Sequence, residues 1–339
     1  MVSILRADPC RVAGTVGAFG EGSILGSLLK WLLDISPRET SFERRGFRGG
    51  NAAVRARLEQ VGVAFTAGYR AALENSTHAV LVPRLEATAL DFRGFAYEGA
   101  AMALALLDRL TPWNRPRTAK FLAGPGDPHA YMVHVGAGWV LARMPGRVEK
   151  FISRFDPLLR WLIVDGYGFH EAFFHFPRYL VGGPLPGRVQ GYACRVFDQG
   201  FGRCLWFVEG TEVNRIAQTI AGFSPERRGD LWSGVGLAAV YAGEVSEAEL
   251  QSLRDAARPF VPQLAQGAAF AAKARQRANN LKPYYDLACG ILCGLSAAEA
   301  AQVSDEALEN LPADGAQPAY EIWRQRIQQR FFQPREVTR

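Results

Sequence analysis

The residues able to do chemistry recur at one position of a repeated pattern. Six apolar segments carry glycines near their middle: 93–106 (RGFAYEGAAMALAL), 131–142 (YMVHVGAGWVLA), 160–173 (RWLIVDGYGFHEAF), 196–207 (VFDQGFGRCLWF), 228–242 (RGDLWSGVGLAAVYA) and 260–272 (FVPQLAQGAAFAA). The residue before the first glycine is Glu98, Asp165, Gln199, Ser233 or Gln266, and His134 stands one position earlier in its own segment. A buried polar side chain without a partner costs roughly 1–3 kcal/mol. Polar groups at one level of apolar helices therefore face each other or a shared cavity. Two readings follow. The groups tie adjacent helices by hydrogen bonds, or they line a pocket whose acids serve acid–base chemistry. In the second reading Asp165, Glu98, His134 and His170 are the candidate catalytic residues. Gln199, Ser233 and Gln266, with their neighbours Asp198, Tyr97 and Trp232, are then the candidate substrate-binding residues.

Other chemistries lack their residues. His170 and His175 are five apart and match no zinc spacing, so no metal site is expected. GFGRC, GAGWV and GVGLA are fragments of a dinucleotide fingerprint with no strand before them. No GxSxG elbow and no DDxxD-like diphosphate motif occurs. No cofactor is expected. The formal net charge of +6 is nearly all arginine, with only five lysines and no basic run, so no nucleic-acid partner is expected. Five cysteines form no CxxC pair, and this odd count without a signal peptide predicts a cytoplasmic protein. No run of 18 apolar residues is present.

A glycine inside a helix costs about 1 kcal/mol relative to alanine. Pairs of them point to close approach of another backbone or of a ligand. Weaker copies of the pattern lie at 63–73 and 286–295. The segments from Arg147 and from Arg215 align without a gap, each reading as a short helix, a capped turn (Asp156-Pro157, Ser224-Pro225) and a long glycine-bearing helix. Arg93, Arg160 and Arg228 each stand six residues before a glycine, and pairing with Asp230 or with helix carbonyls is expected of them. The fold predicted is all-α: helical-hairpin repeats, arising by tandem duplication, that form a solenoid, ring or toroid around a central apolar cavity. Its parts are a leader with a short amphipathic helix (1–35, the helix at 23–35), a first repeat half (36–176), a second (189–300) and C-terminal helices with a tail (301–339). The helix at 23–35 docks on the body or touches a membrane surface. Ser36-Pro37-Arg38-Glu39 has the form of a capping box. The best strand candidate is 79–84 (AVLVPR), which Pro83 demotes.

Seven blocks in order resemble the DUF1702 family: RGFAYEGAAMALALLD, FLAGPGDPHAYMVHVGAGW, WLIVDGYGFHEAFF, FDQGFGRCLWFVEG, RRGDLWSGVGLAAVYAG, QGAAFAAKAR and PAYEIWRQRI. The resemblance runs from about Ser36 to Phe332. It implies a bacterial secondary-metabolism protein of the kind encoded beside enediyne polyketide synthases, and it carries no assigned catalytic residues. Two functions are then expected. One is an enzyme that cyclises or isomerises an apolar polyene or isoprenoid by acid–base chemistry, its 7 Trp and 21 Phe lining a dry cavity. The other is a non-catalytic scaffold or chaperone that binds such a polyene or the pathway's other proteins. A closed, apolar cavity of several hundred cubic ångströms with acids at its wall favours the first, and an open groove with no enclosed volume favours the second.

Overall fold

A computed structural model describes residues 33–111, 113, 116–179 and 183–332. Over these residues the protein is all-α, with about 16 packed helices and no strand. Seven long helices form its body: α1 (Ala52–Glu74), α2 (Leu90–Leu110), α3 (Ala130–Arg143), α4 (Trp161–His175), α5 (Tyr192–Val208), α6 (Pro225–Tyr241) and α7 (Val261–Arg277). Shorter helices such as Val148–Ile152, Val213–Ala221 and Glu247–Ala256 lie between them in the chain. A C-terminal helix, α8 (Ala319–Phe332), packs against α7. Local chemistry sets several starts. The Asn51 side chain accepts from the Val54 N–H ahead of α1, and Ser246 and Ser296 each close a capping box with the Glu three residues on.

Successive long helices pack on one another in chain order. The glycines explain how. A Cβ on Gly138 of α3 would stand 2.0 Å from the Ile163 carbonyl oxygen of α4, and one on Gly166 would stand 1.9 Å from that of Val135. Gly168 meets Phe197 and Gly200 meets Asp165 between α4 and α5; Gly202 meets Leu231 and Gly234 meets Gln199 between α5 and α6. Gly236 with Leu264 and Gly267 with Ser233 join α6 to α7 in the same way. In each of these pairs the first glycine of a helix abuts the helix before it, and the second abuts the helix after it. Such contacts bring backbones close enough for Cα–H···O interactions, which side chains would forbid. In α2 the second position is Ala101, whose Cβ lies 3.1 Å from where a Gly136 Cβ would be.

Neighbouring helices α4 and α5 run in the same direction. Trp161 touches Tyr192 near their starts (4.8 Å between ring centres), and Phe169 touches Phe207 further along (5.4 Å). The connecting segment therefore has to travel back along the pair. The late and early parts of the chain also meet. The Arg275 guanidinium of α7 donates to the Asp91 carbonyl at the start of α2 (3.0 Å), and Asn280 donates to the Leu90 carbonyl (3.2 Å). Arg57 of α1 donates to the Ala242 carbonyl at the end of α6 (3.0 Å).

Several sequence expectations are corrected. The strand candidate at 79–84 lies inside the helix His78–Glu86, with Pro83 in its interior. Leu81 and Leu85, four apart, are the residues it buries, so its period is helical. Ser36 accepts from the Arg38 N–H and opens a four-residue 3-10 turn, Pro37–Thr40, while Glu39 pairs with Arg44 and Arg45 instead of closing the box. The weak copy at 286–295 is a short helix, Pro283–Leu292, whose Gly290 faces open space and approaches no backbone. The helix expected at 23–35 lies outside the described residues except for 33–35, as does the leader 1–22. Asp34 of that remnant pairs with Arg70 (2.6 Å), and the Tyr69 hydroxyl donates to the Leu33 carbonyl (2.7 Å). Among the described residues no single helix is long and apolar enough to cross a membrane; one pair, Pro283–Leu292 and Ala297–Glu306, bent by 62°, passes that test only jointly.

The equivalence of the three arginines is partly visible. Arg93 donates to carbonyls five and seven residues back, Thr88 (3.3 Å) and Glu86 (2.8 Å). Arg228 does the same with Phe223 (2.8 Å) and Ala221 (2.8 Å). Arg160 departs from them and pairs with Asp314 (2.5 Å). Asp230 is held by Arg195 and Arg324.

Candidate functional site

The long helices line a narrow cavity, partly open to solvent, of about 40 Å³; the space comes to about 650 Å³ only when the crevices between side chains and the open mouth are counted. Its wall is mainly aromatic and aliphatic: Phe65 of α1, Phe95 of α2, Trp139 of α3, Phe169 and Phe173 of α4, and Phe207 of α5. Leu237 and Tyr241 of α6 complete it, and Ile35 and Thr40 cover it from the N-terminal segment. Gly62 lets that segment seat on α1, since a Cβ there would stand 2.4 Å from the Thr40 Cβ.

Besides the Tyr241 phenol, two ionisable side chains reach this wall, Glu98 and Arg203. Glu98 is 3% exposed. Burial pushes its carboxyl up to about 7, opposed by Arg203 and reinforced by the carboxylate of Asp165. The indole N–H of Trp139 lies close enough to favour the carboxylate, without hydrogen-bond alignment on it. A carboxyl tuned near neutrality inside an apolar cavity can hold a proton at physiological pH and release it, the requirement for a general acid or base.

Asp165 stands at the same register on α4 but not on the wall. It is fully buried, 2.8 Å from an Arg203 nitrogen, and accepts from Gln199 Nε2 at 2.9 Å. Burial raises its pKa against both partners. A ladder continues from it through the next helices. The Ser233 hydroxyl donates to Gln266 Oε1 (2.9 Å) and lies 3.4 Å from Gln199 Oε1; Arg324 of α8 donates to the same Gln266 oxygen (3.3 Å). Arg324 also bonds Asp230 (2.6 Å) and Glu321 (3.1 Å), and is itself wholly buried. For Asp165, Gln199, Ser233 and Gln266 the polar level therefore ties adjacent helices together. Glu98 is the member of the set that faces the cavity, because the position before Gly136 in the helix between them is the apolar Val135.

The other candidates lie apart from the cavity wall. His134 lines a separate cleft with Phe155, Arg154 and Asp156. Its Nδ1 donates to the Ala130 carbonyl (2.7 Å), and burial lowers its pKa. His170 packs edge-on to Trp139 (5.2 Å) and against Phe174 (4.7 Å), and burial lowers it to about 4, leaving a neutral ring. Asp198 is clasped by Arg227 through two bonds (2.8 and 2.6 Å), yet burial still raises it to about 6. The Tyr97 hydroxyl donates to Glu86 (2.6 Å) while its ring stacks on His129 (4.1 Å). Trp232 is buried outside the cavity wall. Among the described residues no group of three His, Cys, Asp or Glu could hold a metal ion.

Sequence reasoning passed over Trp139, Arg203 and Tyr241. A signal for the first two existed. Trp139, Phe169, Arg203 and Leu237 each stand three residues after the first glycine of the Gly-x-Gly pair in their helix, one turn beyond the polar level, and all four line the cavity.

A family model described as a protein of unknown function, DUF1702, matches residues 24–331. No curated protein and no solved structure matches the chain.

Proposed function

We propose that this chain, which belongs to the DUF1702 family, binds an apolar, unsaturated chain of polyketide or isoprenoid type in its aromatic cavity and rearranges it by proton transfer from Glu98. The observation that carries the reading is the contrast on one wall. Glu98 is the carboxyl of the lining, and most of what surrounds it is hydrocarbon and aromatic ring. Aromatic faces stabilise positive charge developing on a protonated polyene. A buried acid raised to about 7 keeps a substantial protonated fraction near neutral pH and can supply the proton. Arg203 sits beside it and is anchored from behind by Asp165, so its cation is held in place when Glu98 ionises.

The reading extends to the architecture. The long helices are copies of one hairpin unit, duplicated as 36–176 and 189–300 and arranged as a ring about this cavity. The reciprocal glycine contacts and the matched carbonyl bonds of Arg93 and Arg228 support it.

The test is the product profile of the host pathway, read by mass spectrometry with wild type, Glu98→Gln and Asp165→Asn. Glu98→Gln should remain folded and lose the product, with its precursor accumulating. An unchanged profile from folded Glu98→Gln protein would remove proton transfer from the reading. What remained would be a polyene carrier or scaffold.

A further inference from the structure

Besides Glu98, the cavity wall carries polar groups of a common sign that its apolar surface does not explain. Arg203, Trp139 and Tyr241 are 5%, 5% and 3% exposed, and all three line the cavity. The Arg203 Nε–H and the Tyr241 hydroxyl have no protein hydrogen-bond acceptor, and the Trp139 Nε1–H, although near the Glu98 carboxyl, makes no aligned hydrogen bond to it. Every one of them can donate. Buried donors without acceptors are rare in folded proteins, and a cluster of them lining one cavity points to what completes it. They stand around one place. The charges of Glu98 and Arg203 both act on the Tyr241 hydroxyl, and Arg203 and Trp139 both act on Glu98. The hydroxyls of Thr40 and Thr66, also on the wall, spend their protons on the Pro37 and Gly62 carbonyls.

We infer that the occupant of this cavity is an apolar chain bearing a carbonyl or carboxylate oxygen, seated against Arg203, Tyr241 and Trp139. The inference rests on the proposed ligand-binding role of the cavity and narrows its substrate class. A pure hydrocarbon would leave the donors unsatisfied, and an amine would bring further donors to them and a cation to Arg203. A ketone or carboxylate oxygen accepts from them and places the carbon beside it near the Glu98 carboxyl. Arg203 has a second duty toward Asp165, so its Nε edge is the one left for the ligand.

The test uses four molecules of one chain length: undecane, methyl nonyl ketone, undecanoate and undecylamine. Their binding to the full chain is read by equilibrium dialysis with mass-spectrometric quantification. The ketone and the carboxylate should bind at least about tenfold more tightly than undecane, as one or more satisfied buried hydrogen bonds require. Tyr241→Phe and Arg203→Gln should shrink that gap and leave undecane unchanged. If Arg203→Gln fails to fold, Tyr241→Phe and Trp139→Phe decide the matter. Equal binding of undecane and the ketone, or amine binding as tight as the ketone's, overturns the inference and leaves an apolar binding cavity standing. Binding of none of the four overturns both.

Discussion

The α-carbon of Gly200 rests against the backbone carbonyl of Asp165, so close that a Cβ there would stand 1.8 Å from the oxygen. The helix that supplies the acid and the helix that supplies its arginine are thereby held at backbone contact. Arg203, one turn beyond Gly200, can then reach Asp165 and the cavity together.

Gly200→Ala and Gly234→Ala should each cost at least about 3 kcal/mol or prevent folding, because the neighbour that must yield is backbone and not the end of a flexible side chain. Gly229→Ala is the control. It lies within α6, its nearest neighbour to a Cβ is 3.5 Å away, and it should stabilise by about 0.5–1 kcal/mol. Urea denaturation of the three variants measures both signs. Equal effects at Gly200 and Gly229 would contradict the close-packing account.

Glu98 makes stability depend on pH with a definite sign. Its carboxyl rises from 4.5 to about 7 on folding. Below about 4.5 it is protonated in both states and contributes no dependence. As pH rises the unfolded chain ionises first, so stability falls until about 7 and stays lowered above it. At 1.36 kcal/mol per unit the loss is on the order of 3 kcal/mol. Glu98→Gln should flatten this slope and be more stable than wild type at about pH 8, with no such advantage at about pH 4. Parallel pH profiles for the two proteins would show that the carboxyl is not perturbed.

Removing the cation from the buried pair should be severe. Arg203→Met leaves Asp165 in the interior without its cation, at a cost of about 3–5 kcal/mol. Asp165→Asn in the same background should recover part of it. A double-mutant cycle by chemical denaturation measures the interaction; strictly additive losses would mean the two groups do not interact.

Arg324 fastens α8 to the body through Asp230, Glu321 and Gln266. Arg324→Met leaves the nearly fully buried carboxylates of Asp230 and Glu321 with Arg195 as their remaining cation. A loss of about 3 kcal/mol is expected, with faster hydrogen exchange along 319–332 than elsewhere. Uniform exchange would mean that α8 is held by its apolar face, Trp323 and Ile327, alone.

Much of this protein was legible in its residues because the relevant physics is local. Glycine pairs at fixed spacing announce backbone contact wherever the helices meet, and the all-α class follows from periodicity and the lack of strand runs. The polar register before each first glycine could be read as well, including its alternative as a set of interhelical ties. Glu98 and Asp165 occupy that same register, and nothing in either segment separates them. Tertiary structure does. Arg203 from the next helix and Gln199 beside it engage Asp165, whereas Glu98 neighbours a helix whose matching residue is Val135, so its carboxyl is left facing the void. Which acid meets a cavity depends on the rotation of each helix about its own axis and on the reach of a neighbour's side chain. Those quantities are fixed by packing between segments far apart in the chain, and no single segment contains them.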